Sequence, residues 1–410
     1  MSASDPIGAA ATADSPGGGG PLAGVRVLDL SRFIAGPLCA QILGDMGADV
    51  VKVERPGGED ARGLAPFMGG ESLYTMTFNR NKRGMTLDTR HPRALAVLED
   101  LVRVSDVLVE NYRPGTLATM GLPYDRLTEL NPRLVVTSLS GFGQTGPLAG
   151  RALFDAIAQA MSGLMSRTGR PEDPPTLAGT FIADHLTGIY GALGTMTALY
   201  HRERTGRGQV VDIASLDVLF SCLGTAPVAC ANTGEEPVRT GSRDPLSGPA
   251  NTFRTADGWV YLHAGTDPLF RRLSAAMGRP ELAEGPWASV SGRMADIEQV
   301  EQVVSQWTAA TTTDELGGVL EEAGVPFGPV LTVQQVLAEP QLAARDMLVT
   351  GAHASLGDVM MTGLPMKLSA SPGSVRRAAP TVGEHTDQLL TEVLGLSADA
   401  VRSLHDDGVL

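Results

Sequence analysis

Cysteine is nearly missing from this chain, with three residues, Cys39, Cys222 and Cys230, among 410. Their number is odd, their surroundings are apolar, and no Cys-x-x-Cys spacing occurs. Neither a disulfide framework nor a zinc site is expected, which favours the reducing cytoplasm. Aromatic residues make up only 5%, too few to suggest a carbohydrate platform or a stacking surface for single-stranded nucleic acid. Positive charge is outnumbered, 32 lysines and arginines against 46 acidic residues, for a net charge of -14. Bulk binding to nucleic-acid phosphates is therefore not expected, and an anionic ligand would need a local basic pocket. No apolar run reaches the roughly 18 residues of a membrane span. Residues 1–20 lack an apolar h-region and a basic start, and read as a disordered tail rather than a signal peptide.

Glycine and proline, by contrast, are plentiful (49 and 27), which implies many tight turns. The 43% hydrophobic and 19% charged content is that of an ordinary globular protein long enough for two or more cores. From Leu22 onward, short apolar runs alternate with helical patterns. Val25–Leu30, Asp49–Glu54, Met85–Asp88, Asp106–Glu110 and Leu134–Leu139 read as strands. Gly36-Pro37 opens a helix that Gly47 ends, and further helices fall over 92–104 and 124–130. This rhythm indicates βαβ units and an α/β fold with a Rossmann-like, doubly wound parallel sheet. A helical region over 152–201 and a strand at 209–214 follow. The expected domains are a large one over 21–223, a smaller α+β one over 224–329, and a return to the large one over 330–410.

The segment Thr180–Ser215 is the most informative. Asp184 heads a long apolar stretch in which His185 and Tyr190 are the only other titratable groups before Tyr200 and His201. Burial and the backbone donors of a helix start would set its pKa and reactivity, a setting suited to a carboxylate nucleophile. The basic glycine turn Arg204-Thr205-Gly206-Arg207-Gly208 then leads into a strand.

Several motifs in this order carry a family resemblance. They are Leu28-Asp29-Leu30-Ser31 with Ala35-Gly36-Pro37, Gly47-Ala48-Asp49-Val50-Val51-Lys52-Val53-Glu54, Asn79-Arg80-Asn81-Lys82-Arg83 and Val109-Glu110-Asn111-Tyr112-Arg113-Pro114-Gly115. Thr205-Gly206-Arg207-Gly208-Gln209, Gly324-Val325-Pro326-Phe327-Gly328-Pro329-Val330 and Gly383-Glu384-His385-Thr386 complete the set. From Leu22 to the C-terminus the chain resembles the class III CoA-transferases, a family that includes formyl-CoA transferase, crotonobetainyl-CoA:carnitine CoA-transferase and the 2-methylacyl-CoA racemases. The resemblance implies an acyl-CoA:carboxylate CoA-transferase. Asp184 would be its catalytic residue, working through a mixed anhydride and an aspartyl-CoA thioester. It implies coenzyme A as substrate, with no permanently bound cofactor and no metal, and an interlocked homodimer.

The same resemblance carries CoA contacts onto Phe33, Ile34 and Ala35, the adenine-side wall, and onto Arg55 near the nucleotide. It extends to Leu87 and Arg90 on the third-strand segment, to Asn111, Tyr112 and Arg113 around pantetheine and phosphates, and to Phe154 and Asp155 at the pantetheine end. Thr119 departs from the usual arginine, and Gly241–Pro249 from the family's glycine-rich loop. Loop residues 241–251 should then select the acid, with Arg243 as a candidate cation for a dicarboxylate.

A racemase needs a histidine-aspartate pair where this chain has Phe154-Asp155, and Phe154 cannot move a proton. CoA transfer is therefore favoured over α-proton exchange, and a non-catalytic CoA-binding protein stands as the other alternative. Taken alone, Asp184 would also suit a helix N-cap. Gly141–Gly146 matches a dinucleotide fingerprint in form only, because Pro147 denies it a helix start. Arg80, Lys82 and Arg83 read either as a phosphate cluster or as a solvated turn. Arg202, Arg204 and Arg207 read as a surface helix end, and His385 as a capping or interdomain residue.

Overall fold

The computed structural model describes residues 19–410, so most of the expected tail lies outside the described residues. The chain divides into two compact units. One takes the chain up to Leu164, then Gly179–Gly224 and Pro340–Leu410; the other takes Met165–Ala178 and Thr225–Glu339.

The first unit is built on six strands: β1 (Arg26–Asp29), β2 (Asp49–Glu54), β3 (Lys82–Thr86), β4 (Val107–Glu110), β5 (Val135–Ser140) and β6 (Val210–Ala214). All pair in parallel, in the order β3-β2-β1-β4-β5-β6. The order reverses between β1 and β4, the switch point where doubly wound sheets present their ligand crevice. Neighbouring residues in the strands face opposite sides. Leu28, Val51, Leu108 and Val136 pack with α1 of the outer layer (Ala94–Arg103) and with C-terminal helices 386–392 and 398–406. Val27, Val50, Val107, Val109 and Val135 pack on the other side against α2 (Ala35–Asp45) and α3 (Ile182–Thr205). Both faces are covered, and the central strands carry short apolar runs such as Val107-Leu108-Val109.

Helix α3 comes close to its neighbours because its contact face is made of small residues. A Cβ added at Gly188 would lie 2.8 Å from the Ala35 carbonyl oxygen, and one at Gly191 would lie 2.7 Å from Leu139. The Thr195 and Thr137 hydroxyls bond at 2.6 Å between α3 and β5. This contact sets the start of α3 beside the start of α2.

Three expectations fail here. The third strand starts at Lys82, before the expected Met85, and the basic cluster is neither phosphate site nor solvated turn. Lys82 is fully buried and donates to Asp29 at 2.8 Å, while Arg83 binds Asp49 and Arg80 binds Asp45, each at 2.7 Å. Arg202 is likewise buried and pairs with Asp106 at 2.9 Å, rather than ending a surface helix in solvent. His385 precedes the helix 386–392 and its Nδ1 accepts from the Gly84 amide at 3.3 Å.

The second unit holds a three-stranded antiparallel sheet, Ala250–Arg254, Trp259–His263 and Phe327–Pro329. Helices 267–276, 297–309 and 313–323 cover a separate core containing Phe253, Leu262, Phe270 and Leu316. Arg243, the expected dicarboxylate cation, lies in this unit and is occupied by Glu301 through bonds of 2.9 and 2.7 Å.

Candidate active site

The loops after β1 and β4 meet at the switch point and are joined by side chains. Asp29 accepts from the Ser31 amide at 2.9 Å, and Lys52 donates to the Ser31 carbonyl at 2.9 Å. Asn111 brackets Arg32, accepting from its amide at 2.8 Å and donating to its carbonyl at 2.7 Å. The Phe33 amide donates to Glu59 at 2.9 Å, and Lys52 pairs with the other Glu59 oxygen at 3.0 Å. These contacts hold Phe33 at φ 65, a left-handed conformation that a bulky residue seldom adopts.

At the start of α3 the amides of the first turn need an acceptor. Phe181 occupies the cap position and has no capping side chain. The acceptor is Asp155, 28 residues upstream of Ala183: its Oδ1 takes the amides of Ala183 at 2.7 Å and Asp184 at 3.2 Å. Gln159 donates to the other Asp155 oxygen at 2.6 Å. Asp184 is thus not the N-cap. Among the described residues, no hydrogen bond or ion pair engages its carboxylate, which opens into a cavity of about 240 Å³. Burial pushes the Asp184 carboxyl up to about 7, and the nearby Asp155 charge adds to the effect. Burial and the Asp184 charge push the Tyr74 hydroxyl up to about 12, so it stays protonated. His185 bonds the Phe181 carbonyl at 2.8 Å, meets Phe78 edge to face and lines a separate apolar cavity.

The cavity that Asp184 enters gathers Phe33, Ile34, Ala35, Asn111, Tyr112, Arg113 and Phe154 of the expected contact set. Arg55 and Arg90 line a second cavity, of about 690 Å³, which also receives Thr119. Arg32 and Tyr112 line both, so the two spaces adjoin. Leu87 reaches neither, being fully buried in the sheet core. Asp155 is also buried and lies behind the wall as the helix cap, rather than lining the cavity.

Sequence reasoning missed Arg32 and Arg151, both in the wall beside Asp184. Arg32 was readable from its place just before Phe33 in the same loop. Arg151 had no such signal, because a loop arginine four residues before Asp155 looks like ordinary surface charge. Among the described residues, no three or more His, Cys, Asp or Glu side chains are grouped to hold a metal ion, and no single helix is long and apolar enough to cross a membrane.

Known proteins are similar to this chain over most of its length. Residues 22–386 match the family model described as CoA-transferase family III. A succinyl-CoA–D-citramalate CoA-transferase of Chloroflexus aurantiacus is 39% identical, over 95% of this chain and 98% of its own. A succinate–glutarate CoA-transferase of Agrobacterium fabrum is 39% identical, over 93% and 97%. A formyl-CoA:oxalate CoA-transferase of Streptomyces coelicolor is 37% identical, over 95% and 99%. Among solved structures, a CAIB/BAIF family protein from Brucella suis superposes with a TM-score of 0.84 at 35% identity, covering 91% of this chain and 99% of that one. With a family match across most of its length and relatives 37–39% identical over nearly the whole chain, the protein belongs to CoA-transferase family III.

Proposed function

We propose that the enzyme moves coenzyme A from an acyl-CoA donor to a carboxylic acid acceptor, with Asp184 as the covalent nucleophile. One observation carries this reading: the Asp184 carboxylate faces a cavity with no internal partner, because Asp155 does the capping in its place. A carboxylate whose proton affinity is raised to about 7 is also a stronger nucleophile once ionised.

An Asp184 oxygen attacks the thioester carbonyl carbon. The carbon–sulfur bond breaks, leaving a mixed anhydride and CoA thiolate. The thiolate attacks the aspartyl carbonyl and expels the donor carboxylate, so that Asp184 now carries CoA as a thioester. The acceptor carboxylate attacks that thioester and releases the thiolate again. Thiolate attack on the acceptor's acyl carbon then forms the new acyl-CoA and restores Asp184. Each step exchanges one activated acyl bond for another, so no redox partner or net proton is required.

CoA is read as lying along the two adjoining cavities, its nucleotide beside Arg55 and Arg90 and its pantetheine arm passing Tyr112 toward Asp184. The relatives that act on succinate, glutarate and oxalate support a short carboxylic acid as acceptor. Phe154 stands in the wall where α-proton exchange would need a base, which supports transfer over racemisation. An interlocked homodimer, a smaller domain bounded near 224 and 329, and a cytoplasmic location remain part of this proposal.

The test is to incubate the enzyme with acyl-CoA, quench with hydroxylamine and analyse the Asp184 peptide by mass spectrometry. A hydroxamate on Asp184, absent from Asp184→Ala, is expected. An unmodified peptide during measurable turnover would refute the covalent route.

A further inference from the structure

The wall around Asp184 holds three guanidinium groups, and they are not equally free. Arg32 lies 3.6 Å from Asp60 and 5.4 Å from the centre of the Tyr112 ring, so its charge is shared. Arg113 and Arg151 have no carboxylate partner among the described residues. Arg113 follows β4 and also lines a neighbouring cavity with Glu110 and Gln144, on the coenzyme side.

Arg151 stands elsewhere. It belongs to the segment that runs from β5 to Asp155, so the same stretch of chain that caps α3 also places this guanidinium. Its neighbours in the wall, Ala152, Leu153 and Phe154, carry no charge. The wall hydroxyls Thr187 and Ser215 are already committed, to the Ala183 carbonyl at 2.7 Å and the Ser140 carbonyl at 3.3 Å. Arg151 thus lines the same cavity as Asp184, and no carboxylate engages its guanidinium among the described residues.

A free guanidinium in such a place selects a planar anion with two acceptor oxygens. The reacting carboxyl group cannot be that anion, because it is neutral as thioester or anhydride through most of the cycle. A second carboxylate on the same acid is charged throughout.

We propose that Arg151 forms the subsite for the non-reacting carboxylate of a short dicarboxylic acid, making the enzyme a dicarboxylate CoA-transferase. This rests on the CoA-transfer reading and adds the substrate class. The guanidinium anchors one end of the acid while the other end meets Asp184, and the chain length between them sets which acids react.

The test compares matched pairs on the full chain: succinate against butyrate as acceptors, and succinyl-CoA against butyryl-CoA as donors. The wild type is expected to favour the dicarboxylic member in kcat/KM. Arg151→Leu should lower kcat/KM for succinate by about 10- to 100-fold, the worth of a charged hydrogen bond, and leave butyrate within about threefold. Arg151→Lys should recover part of the preference. Equal losses for both acids, or a raised KM for both CoA thioesters, would overturn the subsite and place Arg151 on the coenzyme. A wild type indifferent to the second carboxylate would overturn it as well. Hydroxylamine trapping on the same samples separates the two levels. If Asp184 is acylated while the acid preference fails, only the subsite falls; if Asp184 is never acylated, the transfer reading falls with it.

Discussion

Replacing Asp184 by Asn should abolish transfer and, at neutral pH and above, make the protein more stable. In the unfolded chain this carboxyl ionises near 3.8, whereas in the folded chain it keeps its proton to about 7. Between those values the native state binds more protons than the unfolded state, so wild-type stability falls as pH rises and levels off above about 7. Three pH units at about 1.4 kcal/mol each set an upper bound of about 4 kcal/mol. Solvent reaching the open side of the carboxyl reduces this to about 1–2 kcal/mol.

Asn keeps the size of the side chain and removes the charge, so the penalty disappears. Urea unfolding followed by far-UV circular dichroism should show coincident midpoints for wild type and Asp184→Asn at pH 4. At pH 8 the variant should lead by about 1–2 kcal/mol. Wild-type kcat/KM should fall below about pH 7 as the nucleophile is protonated, mirroring the stability curve. A variant no more stable at pH 8 than at pH 4, relative to wild type, would refute the claim that an unpartnered charge is held at the head of α3.

Three further changes probe what holds that carboxylate in place. Asp155→Asn retains an acceptor for the helix amides but removes a negative charge, so the acid limb of kcat/KM should move to lower pH; an unmoved limb would mean that burial alone sets it. Gly188→Ala puts a methyl group 2.8 Å from the Ala35 carbonyl. It should cost about 1–3 kcal/mol and reduce kcat by shifting α3, checked by urea titration and steady-state kinetics. Lys82→Met strands Asp29 in the core and should cost about 3–5 kcal/mol, and the double variant Lys82→Met with Asp29→Leu should regain most of that loss.

The sheet was legible because its strands are buried on both faces. Asp49–Glu54 is the same span in sequence and structure, since three valines in six residues, bounded by Gly47 and Pro56, leave little choice. The third strand was misplaced because Lys82 and Arg83 look like turn residues. Their partners, Asp29 and Asp49, are 53 and 34 positions away, and no local pattern reveals such pairing. The same distance hid the role of Asp155: an acid near a glycine loop resembles a ligand contact, and only the fold brings it under the first turn of α3. The family resemblance pointed to Arg55, Arg90 and Arg113, each of which follows shortly after a strand. Arg151 was not legible, because it sits in a loop whose path is fixed by Asp155 and not by any periodic signal.

The division of labour at the head of α3 also bears on how such an enzyme can be silenced. Asp184 is available because a different acid keeps the helix start satisfied. Were Asp155 exchanged for a residue with no acceptor, the amides of Ala183 and Asp184 would lose their partner and the start of α3 would lose the contact that fixes it. Asp184 would then ride on a loosened first turn, and a protein with every reacting atom intact would lose the aim of its carboxylate.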